Sequence, residues 1–402
     1  VNAINMNLKL QEYEVTSSVP GAFLEVRQVV DISEIKALKE EWLELEEFNP
    51  NTVLFQSWHW CNNFIDFAFG SESLSPIVFT VRKFGELIAI LPLCIQTEKT
   101  VTILTGLTEP YQQYTDLLVS KNVDLKEIGK ALFTEFKNVD VDYIHFGQVR
   151  SESALNSILE DNAKVAGERD AAPFVQLTDW DDFESYHKSI KKKTRKNMRN
   201  ARNRLEKTGE LSHVSADGGE LLQSVIDRAY EGREAWLERL GITSRAFRRT
   251  DFREFLERFK QPDNTGVDVL AMAMAHGGKP MSDQWGFVYR GRYYAFMATW
   301  HEDYEASSPG KLHLSEVIET CYERGVEAAD FMLPRSKYKM TWAQNAAPVC
   351  DYVFPLSAKG WVFTNIWLDF LRPLAKKALQ AMPTGLRSTL MGAIIGLLKR
   401  GK

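Results

Sequence analysis

The sequence predicts an α/β (α+β) fold of two tandem units, each a mixed central sheet flanked by helices, and three observations point there. One order of elements (strand, two helices, three strands, helix, strand) runs through residues 22–146 and returns in residues 212–333 with little shared sequence, as expected of a duplicated and diverged unit. Residues 292–333 read as a strand, a tight loop, an amphipathic helix and a second strand. That is a βαβ unit, whose strands lie parallel under a right-handed crossover. A chain of 402 residues with 44% hydrophobic and 26% charged content is globular and longer than most single cores.

In the first unit, residues 22–30 alternate as a strand does, and DISEIKALKEEWLELEEF puts Ile35, Leu38, Trp42 and Leu45 on one helix face. Ser57 caps a second helix that buries Trp60, Phe64 and Phe67. Strands follow at 75–82 and 86–96, and Pro92 inside the latter demotes it to an edge or a bulge. A short strand at 100–105, a polar loop at 110–116, a helix at 125–136 and a strand at 142–146 complete the set. The second unit repeats it with a strand at 212–216, helices at 219–239 and 250–260, strands at 267–275, 281–290 and 292–300, a helix at 311–324 and a strand at 328–333. A further strand at 349–355 closes it. The units then span 1–180 and 211–358, with a basic linker helix over 181–210 and an amphipathic helical tail over 359–402.

The turn that opens helix 311–324 carries the chemistry. Leu314, Val317, Ile318, Cys321 and Tyr322 give the helix one apolar face, and Gly325 sits at its C-terminal cap. At its start, Ser308, Pro309 and Gly310 turn the chain sharply. The amides of Gly310, Lys311 and Leu312 then face any anion placed at the helix N-terminus, and Lys311 adds a positive charge. The diphosphate of coenzyme A suits that place; the alternative is a crossover that binds nothing.

SSPGKL, the helix after it, ADF and the pair Tyr338-Lys339 followed by Trp342 resemble the GNAT-superfamily acyltransferases of the cellulose and exopolysaccharide-biosynthesis (CelD-like) group, relatives of the Fem peptidyltransferases. Matching residues run from about Phe55 to about Trp342. The chain departs from the group after Asp330-Phe331, where Leu333-Pro334-Arg335-Ser336 stands in place of a glycine and an acid. The resemblance implies tandem GNAT-like domains, an acetyl-CoA or other acyl-CoA co-substrate, and a thioester held where the two parallel strands splay apart, beside Thr299 and Trp300. The first unit has GLTEPYQQYTDLLVSKNVDL before its crossover helix and lacks the PG-Lys turn. Acyl-CoA is therefore expected in the second unit, with packing and acceptor binding left to the first.

Acyl transfer from a thioester to an amine needs a neutral amine, donors for the carbonyl oxygen and a proton for the departing thiolate. Backbone amides of the 293–300 strand suit the oxygen. Tyr338, with an ordinary pKa of about 10, suits the proton, unless it is a core tyrosine. Base candidates are Asp283, Asp330 and His301. Asp283 lies in MSDQWGF on one face with Met281 and Trp285, surroundings that raise a carboxyl pKa. Asp330 matches the group's recurring aspartate and could equally brace its strand, and a lone histidine such as His301 is often structural. The acceptor is a small-molecule or glycan amine, an amino sugar if the resemblance extends so far. Trp285, Tyr293, Tyr294, Trp300 and Trp342 either line a sugar-stacking surface or fill the core.

Lys188 to Lys207 hold ten basic residues and one acid, with Ile190, Thr194, Met198, Ala201 and Leu205 as a thin apolar stripe. The helix is docked by one side, and its other face is either simply solvated or meets a polyanion such as the 3′-phosphate of coenzyme A, a lipid-linked phosphate, a membrane surface or transfer RNA. Transfer from charged transfer RNA is thus a second function, although the stretch is too short for the long helical hairpin usual in Fem-like enzymes. A third is a membrane-associated scaffold. In the tail, Trp361, Phe363, Ile366, Trp367 and Phe370 form one apolar cluster, and Leu386, Leu390, Ile394, Ile395 and Leu398 another, ending in Lys399, Arg400 and Lys402. No run approaches the roughly 20 apolar residues of a membrane span, so the tail either lies on an anionic surface or packs on the protein or a second subunit.

The net charge of −5 argues against DNA as a partner. Cys61, Cys94, Cys321 and Cys350 are scattered, which suggests neither a metal site nor a disulfide framework. VNAINMNLKLQEYEVTSSVP has no apolar core of signal-peptide length, and a bacterial cytoplasmic protein, peripheral to the membrane if the tail binds lipid, is the expectation.

Overall fold

The computed structural model describes residues 24–49, 53–68, 74–98, 100–242, 244–249, 251–260 and 266–382. The reading of the first twenty residues and the apolar cluster Leu386 to Leu398 lie outside them. The first half supplies β1 (Leu24–Val29), β2 (Leu74–Lys83), β3 (Glu86–Glu98), β4 (Val101–Gly106), β5 (Leu118–Val119), β6 (Tyr143–Arg150) and β7 (Lys164–Gln176). Its helices are α1 (Ile32–Ala37), α2 (Lys39–Phe48), α3 (Trp58–Ala68), α4 (Leu125–Phe136) and α5 (Ala154–Leu159). Two helices, α6 (Phe183–Ser189) and α7 (Lys192–Glu206), join the halves. The second half supplies β8 (Leu211–Ala216), β9 (Val267–His276), β10 (Lys279–Tyr289), β11 (Arg292–Trp300), β12 (Ala328–Asp330) and β13 (Asn345–Pro355). Its helices are α8 (Gly219–Leu240), α9 (Phe252–Glu257), α10 (Pro309–Glu323), α11 (Lys339–Trp342), α12 (Ala358–Val362) and α13 (Arg372–Ala381), the last two joined by a π-helical stretch, Phe363–Leu371.

All strands belong to one sheet, in the order β1-β2-β3-β4-β6-β13-β7-β12-β11-β10-β9-β8, with β5 beside β3. The order is a palindrome: β1 to β4 and β6 on one side match β8 to β12 on the other. Two parallel contacts occur, β4 with β6 and β11 with β12, each the product of a crossover helix, α4 or α10. The closing strands change sides. β13, last in the chain, pairs with β6 of the first half, and β7 pairs with β12 of the second, while β7 and β13 pair with each other.

Strand alternation sets the layers. Ile90 and Cys94 of β3 and Ala271 and Ala273 of β9 face a core with Trp42, Trp60 and Phe255 from α2, α3 and α9. Ala89, Leu91 and Leu93 face α4 on the other side, and Leu270 and Met272 face α10. The expectation that Pro92 marks an edge or a bulge is corrected: β3 lies between β2 and β4, and its register with β2 shifts at Val81 and Arg82, away from Pro92. Pro92 sits opposite Val78 on one side, and on the other it falls in the gap between the β4 register, which ends at Leu93, and the β5 register at Ala89 and Ile90. Its missing N–H therefore costs no ladder bond. The basic helix α7 is docked by Ala201 and Leu205, both buried, with Met198 partly so.

Candidate active site

β11 and β12 are in register only at Arg292–Ala328, Tyr293–Ala329 and Tyr294–Asp330. The cause of their separation lies in the neighbouring pair. Between Trp285–Met297 and Phe287–Tyr294, β10 advances two residues and β11 three. That extra residue is a β-bulge, which bends β11. Gly286 is opposite, where a Cβ would run into the Tyr294 carbonyl, so only glycine fits. Beyond Tyr294 the strand leaves β12 and a cleft of about 880 Å³ opens, within the usual size of small-molecule sites.

Ala295 to Trp300 form one wall of the cleft and the loop Phe331 to Lys339 another, with Arg233 and Trp236 of α8 adding to it. The first half contributes Glu109 to Gln113, His145, Gly147 and Gln148, and Asp351 of β13 lies with them. His145 Nε2 is 3.4 Å from Asp351 Oδ2, and Gln148 N–H donates to Asp351 Oδ1 at 2.8 Å. Gln148 Oε1 and Ser336 Oγ are buried with no protein partner. Such atoms are costly to leave unpaired, and a polar ligand in the cleft would satisfy them.

Of the residues proposed from sequence, Tyr338, His301, Thr299 and Trp300 line this cleft. Burial pushes the Tyr338 phenol above its usual value, against the pull of the nearby Arg233 cation, so the phenol stays protonated at neutral pH. Arg233 in turn lies over the Trp236 ring at 4.3 Å. His301 caps a short 3-10 turn, Glu302–Ser307, and its side chain is 61% exposed. Asp283 and Asp330 are not on the cleft walls. Burial raises the Asp283 carboxyl, as the sequence suggested. Both its oxygens, however, are held by Arg228 of α8 at 2.6 and 2.9 Å. Asp330 is fully buried and accepts from Tyr114 Oη at 3.0 Å, Met332 N at 2.8 Å and Arg150 Nη1 at 2.5 Å. With these acceptor positions filled it braces the end of β12.

The α10 N-terminus differs in detail from the expectation. The helix begins at Pro309, with Ser308 left-handed at the cap, so the amides of Lys311 and Leu312 donate to the Ser308 carbonyl at 3.0 and 3.2 Å. These two amides turn back into the chain. Leu312 is buried, and Trp342 Nε1 donates to the Lys311 carbonyl at 3.0 Å. None of Ser308, Pro309, Gly310, Lys311 and Leu312 is on the cleft wall; Gly310 borders it through Trp300, whose ring a Cβ there would meet at 3.6 Å. In the first half the corresponding loop is packed with its own side chains, Leu107, Tyr111, Tyr114 and Leu117, all buried. The aromatic set divides likewise. Trp285, Tyr293, Tyr294 and Trp342 are core, and Trp300 alone of the five reaches the cleft.

Sequence reading missed Lys339. Its ammonium donates to the carbonyls of Met332, Leu333 and Pro334 at 2.9, 3.2 and 3.3 Å, pinning the loop after β12, and burial lowers its pKa to about 8. The Tyr338-Lys339 pair in the motif was the available signal. His145 and Asp351 had none, since 206 residues separate them. Among the described residues no group of three or more His, Cys, Asp and Glu side chains could hold a metal ion.

Residues 192–340 match the acetyltransferase (GNAT) domain family. No curated protein matches the sequence. Among solved structures, FemX is similar with a TM-score of 0.56 and 10% identity, over 85% of this chain and 99% of that one. A tandem GNAT protein from the clavulanic acid biosynthesis pathway has a TM-score of 0.49 and 11% identity, over 83% and 99%. The C-terminal domain of a putative lysylphosphatidylglycerol synthetase from Agrobacterium fabrum has a TM-score of 0.47 and 11% identity, over 82% and 97%. At such identities the likeness to FemX concerns the fold alone, and the match of residues 192–340 to an acetyltransferase (GNAT) domain is what supports an acyltransferase.

Proposed function

We propose that the protein transfers an acetyl or other acyl group from a coenzyme A thioester to an amine held in the cleft between its halves. The observation that carries this is the parting of β11 from β12 at Tyr294, which opens onto Tyr338. The thioester lies in the parting, with its carbonyl oxygen toward backbone amides of Ala295 to Trp300 and the nucleotide toward Gly310. Tyr338, kept protonated by burial, gives its proton to the departing thiolate. His301, the base candidate on the cleft wall, takes the proton from the amine. The acceptor enters along the first-half wall, where Glu109, His145 and Gln148 offer hydrogen bonds suited to an amino sugar of a polysaccharide or cell-envelope precursor.

A thermal shift with coenzyme A tests the reading. The wild type gains melting temperature, and Gly310→Glu, which sets a carboxylate beside Trp300 in a position with room for it, loses the gain. An equal shift in both proteins counts against the placement. Transfer from charged transfer RNA is the second reading. It rests on the solvated basic face of α7 and requires salt-sensitive RNA binding that vanishes when Lys191, Lys192, Lys193 and Arg195 become glutamate.

A further inference from the structure

Eight of the 15 large apolar side chains exposed among the described residues fall between Trp361 and Met382. Scattered single exposures are ordinary, whereas a concentration of this kind marks an interaction surface. The helix that carries them is well seated on its inner side. Phe363 stacks on Tyr143 with centroids 5.3 Å apart, Leu368 joins the cluster of Val101, Ile103 and Val353, and Thr364 is fully buried. Gly360 lies so close to the Asp142 carbonyl that no Cβ would fit. The outer side presents Trp361, Ile366, Trp367, Phe370, Leu371 and Leu374, each between 43% and 64% exposed.

We propose that this face docks on an anionic lipid surface. The charges around it identify the occupant. Residues 358–382 hold Lys359, Arg372, Lys376 and Lys377 against the single acid Asp369; Asp369 is neutralised by Lys164 and Lys359 by Asp142, so Arg372, Lys376 and Lys377 carry the excess positive charge of the stretch. Two copies of this face brought together would set cation against cation, which disfavours self-association. Tryptophans and leucines bordered by cations match the headgroup region of an anionic bilayer, where a helix lies flat with its apolar side inserted. No helix among the described residues is long and apolar enough to cross a membrane. Arg372 also lines the cleft, so the docking face and the cleft adjoin. If the acyl transfer proposed above holds, the acceptor is presented from the bilayer; that clause alone rests on the earlier reading.

Sedimentation of the full chain with phosphatidylcholine vesicles, with and without phosphatidylglycerol, tests it. The protein partitions onto the anionic vesicles more strongly than onto the neutral ones. Trp361→Ser/Phe370→Ser/Leu374→Ser lowers that partition by roughly tenfold or more, at an unchanged melting temperature. Lys376→Glu/Lys377→Glu weakens binding to the anionic vesicles alone. No partition, or equal partition by the triple variant, overturns the proposal. So does a concentration-dependent dimer that the triple variant abolishes, because the face is then an interface between copies. The coenzyme A thermal shift, run on the same proteins, reports on the acyltransfer reading separately, so either idea can fail alone.

Discussion

Replacing Asp330 separates structure from chemistry at the end of β12. Its carboxylate is fully buried and meets an Arg150 side chain that is itself only 6% exposed. Arg292 Nη1 stands 3.7 Å away. Asp330→Ala leaves the Arg150 guanidinium charged and enclosed, with Glu152 at 2.7 Å as its remaining acid. It also strips partners from Met332 N–H and the Tyr114 hydroxyl. Loss of one partner of a buried pair costs about 3–5 kcal/mol, so about 4 kcal/mol of unfolding free energy is the expectation. Asp330→Asn keeps an acceptor for the amide and the phenol but offers Arg150 no charge, and about half that loss follows. Arg150→Met added to Asp330→Ala removes the stranded cation and recovers about 2 kcal/mol. Urea denaturation measures all three. An alanine variant within about 1 kcal/mol of wild type, or a double variant no better than the single one, would refute the bracing role. The kinetics complete the test. Folded Asp330→Asn keeps its turnover within about tenfold, and a thousandfold loss at unchanged stability would restore Asp330 as a base.

Tyr338→Phe lowers turnover by about a hundredfold or more while the coenzyme A thermal shift stays, since the phenol acts only as the thiolate leaves; stopped-assay kinetics with an amine panel read this. Burial raises the Asp116 carboxyl to about 7 from 3.8, while its Oδ1 accepts from the Leu117 and Leu155 amides at 2.7 and 3.2 Å. The folded state therefore holds the proton longer than the unfolded chain, and this group's contribution to stability falls as pH rises from about 4 to about 7. Asp116→Asn keeps both backbone bonds and is more stable than wild type at pH 8 by up to about 4 kcal/mol, with little difference at pH 4; urea titrations at the two pH values decide. Gly286→Ala, forced against the Tyr294 carbonyl, costs about 3 kcal/mol or more and is read from the same urea curves.

Most elements were legible because their apolar spacing is local. β3, α4, α8, β9 to β11 and α10 each bury a face that the sequence displays at period two or 3.6, and the Pro309-Gly310 turn placed α10 to within two residues. Thr299, Trp300 and Tyr338 were expected at the site from the resemblance, and all three line the cleft. What failed to show depends on partners distant in the chain. β7 reads KVAGERDAAPFVQ, with four charges, a glycine and a proline, and becomes a strand because β12 and β13 lie on either side of it. Asp283 and Asp330 looked alike as buried carboxylates. Only the fold reveals Arg228 and Arg150 beside them, 55 and 180 residues away. The bulge that parts β11 from β12 is a mismatch in pairing with β10, and no residue type announces it beyond the glycine at 286.

The crossing of β7 and β13 has a consequence for how the molecule is made. β6 has no partner on its β13 side until residues 345–355 exist. A nascent chain therefore carries an open, apolar edge from the completion of β6 at Arg150 until β13 begins at Asn345, the exposure that invites aggregation and chaperone capture. Pieces severed near residue 180 would each lack a strand the other holds. Mixed in one cell they should find each other, while either alone should accumulate as insoluble material.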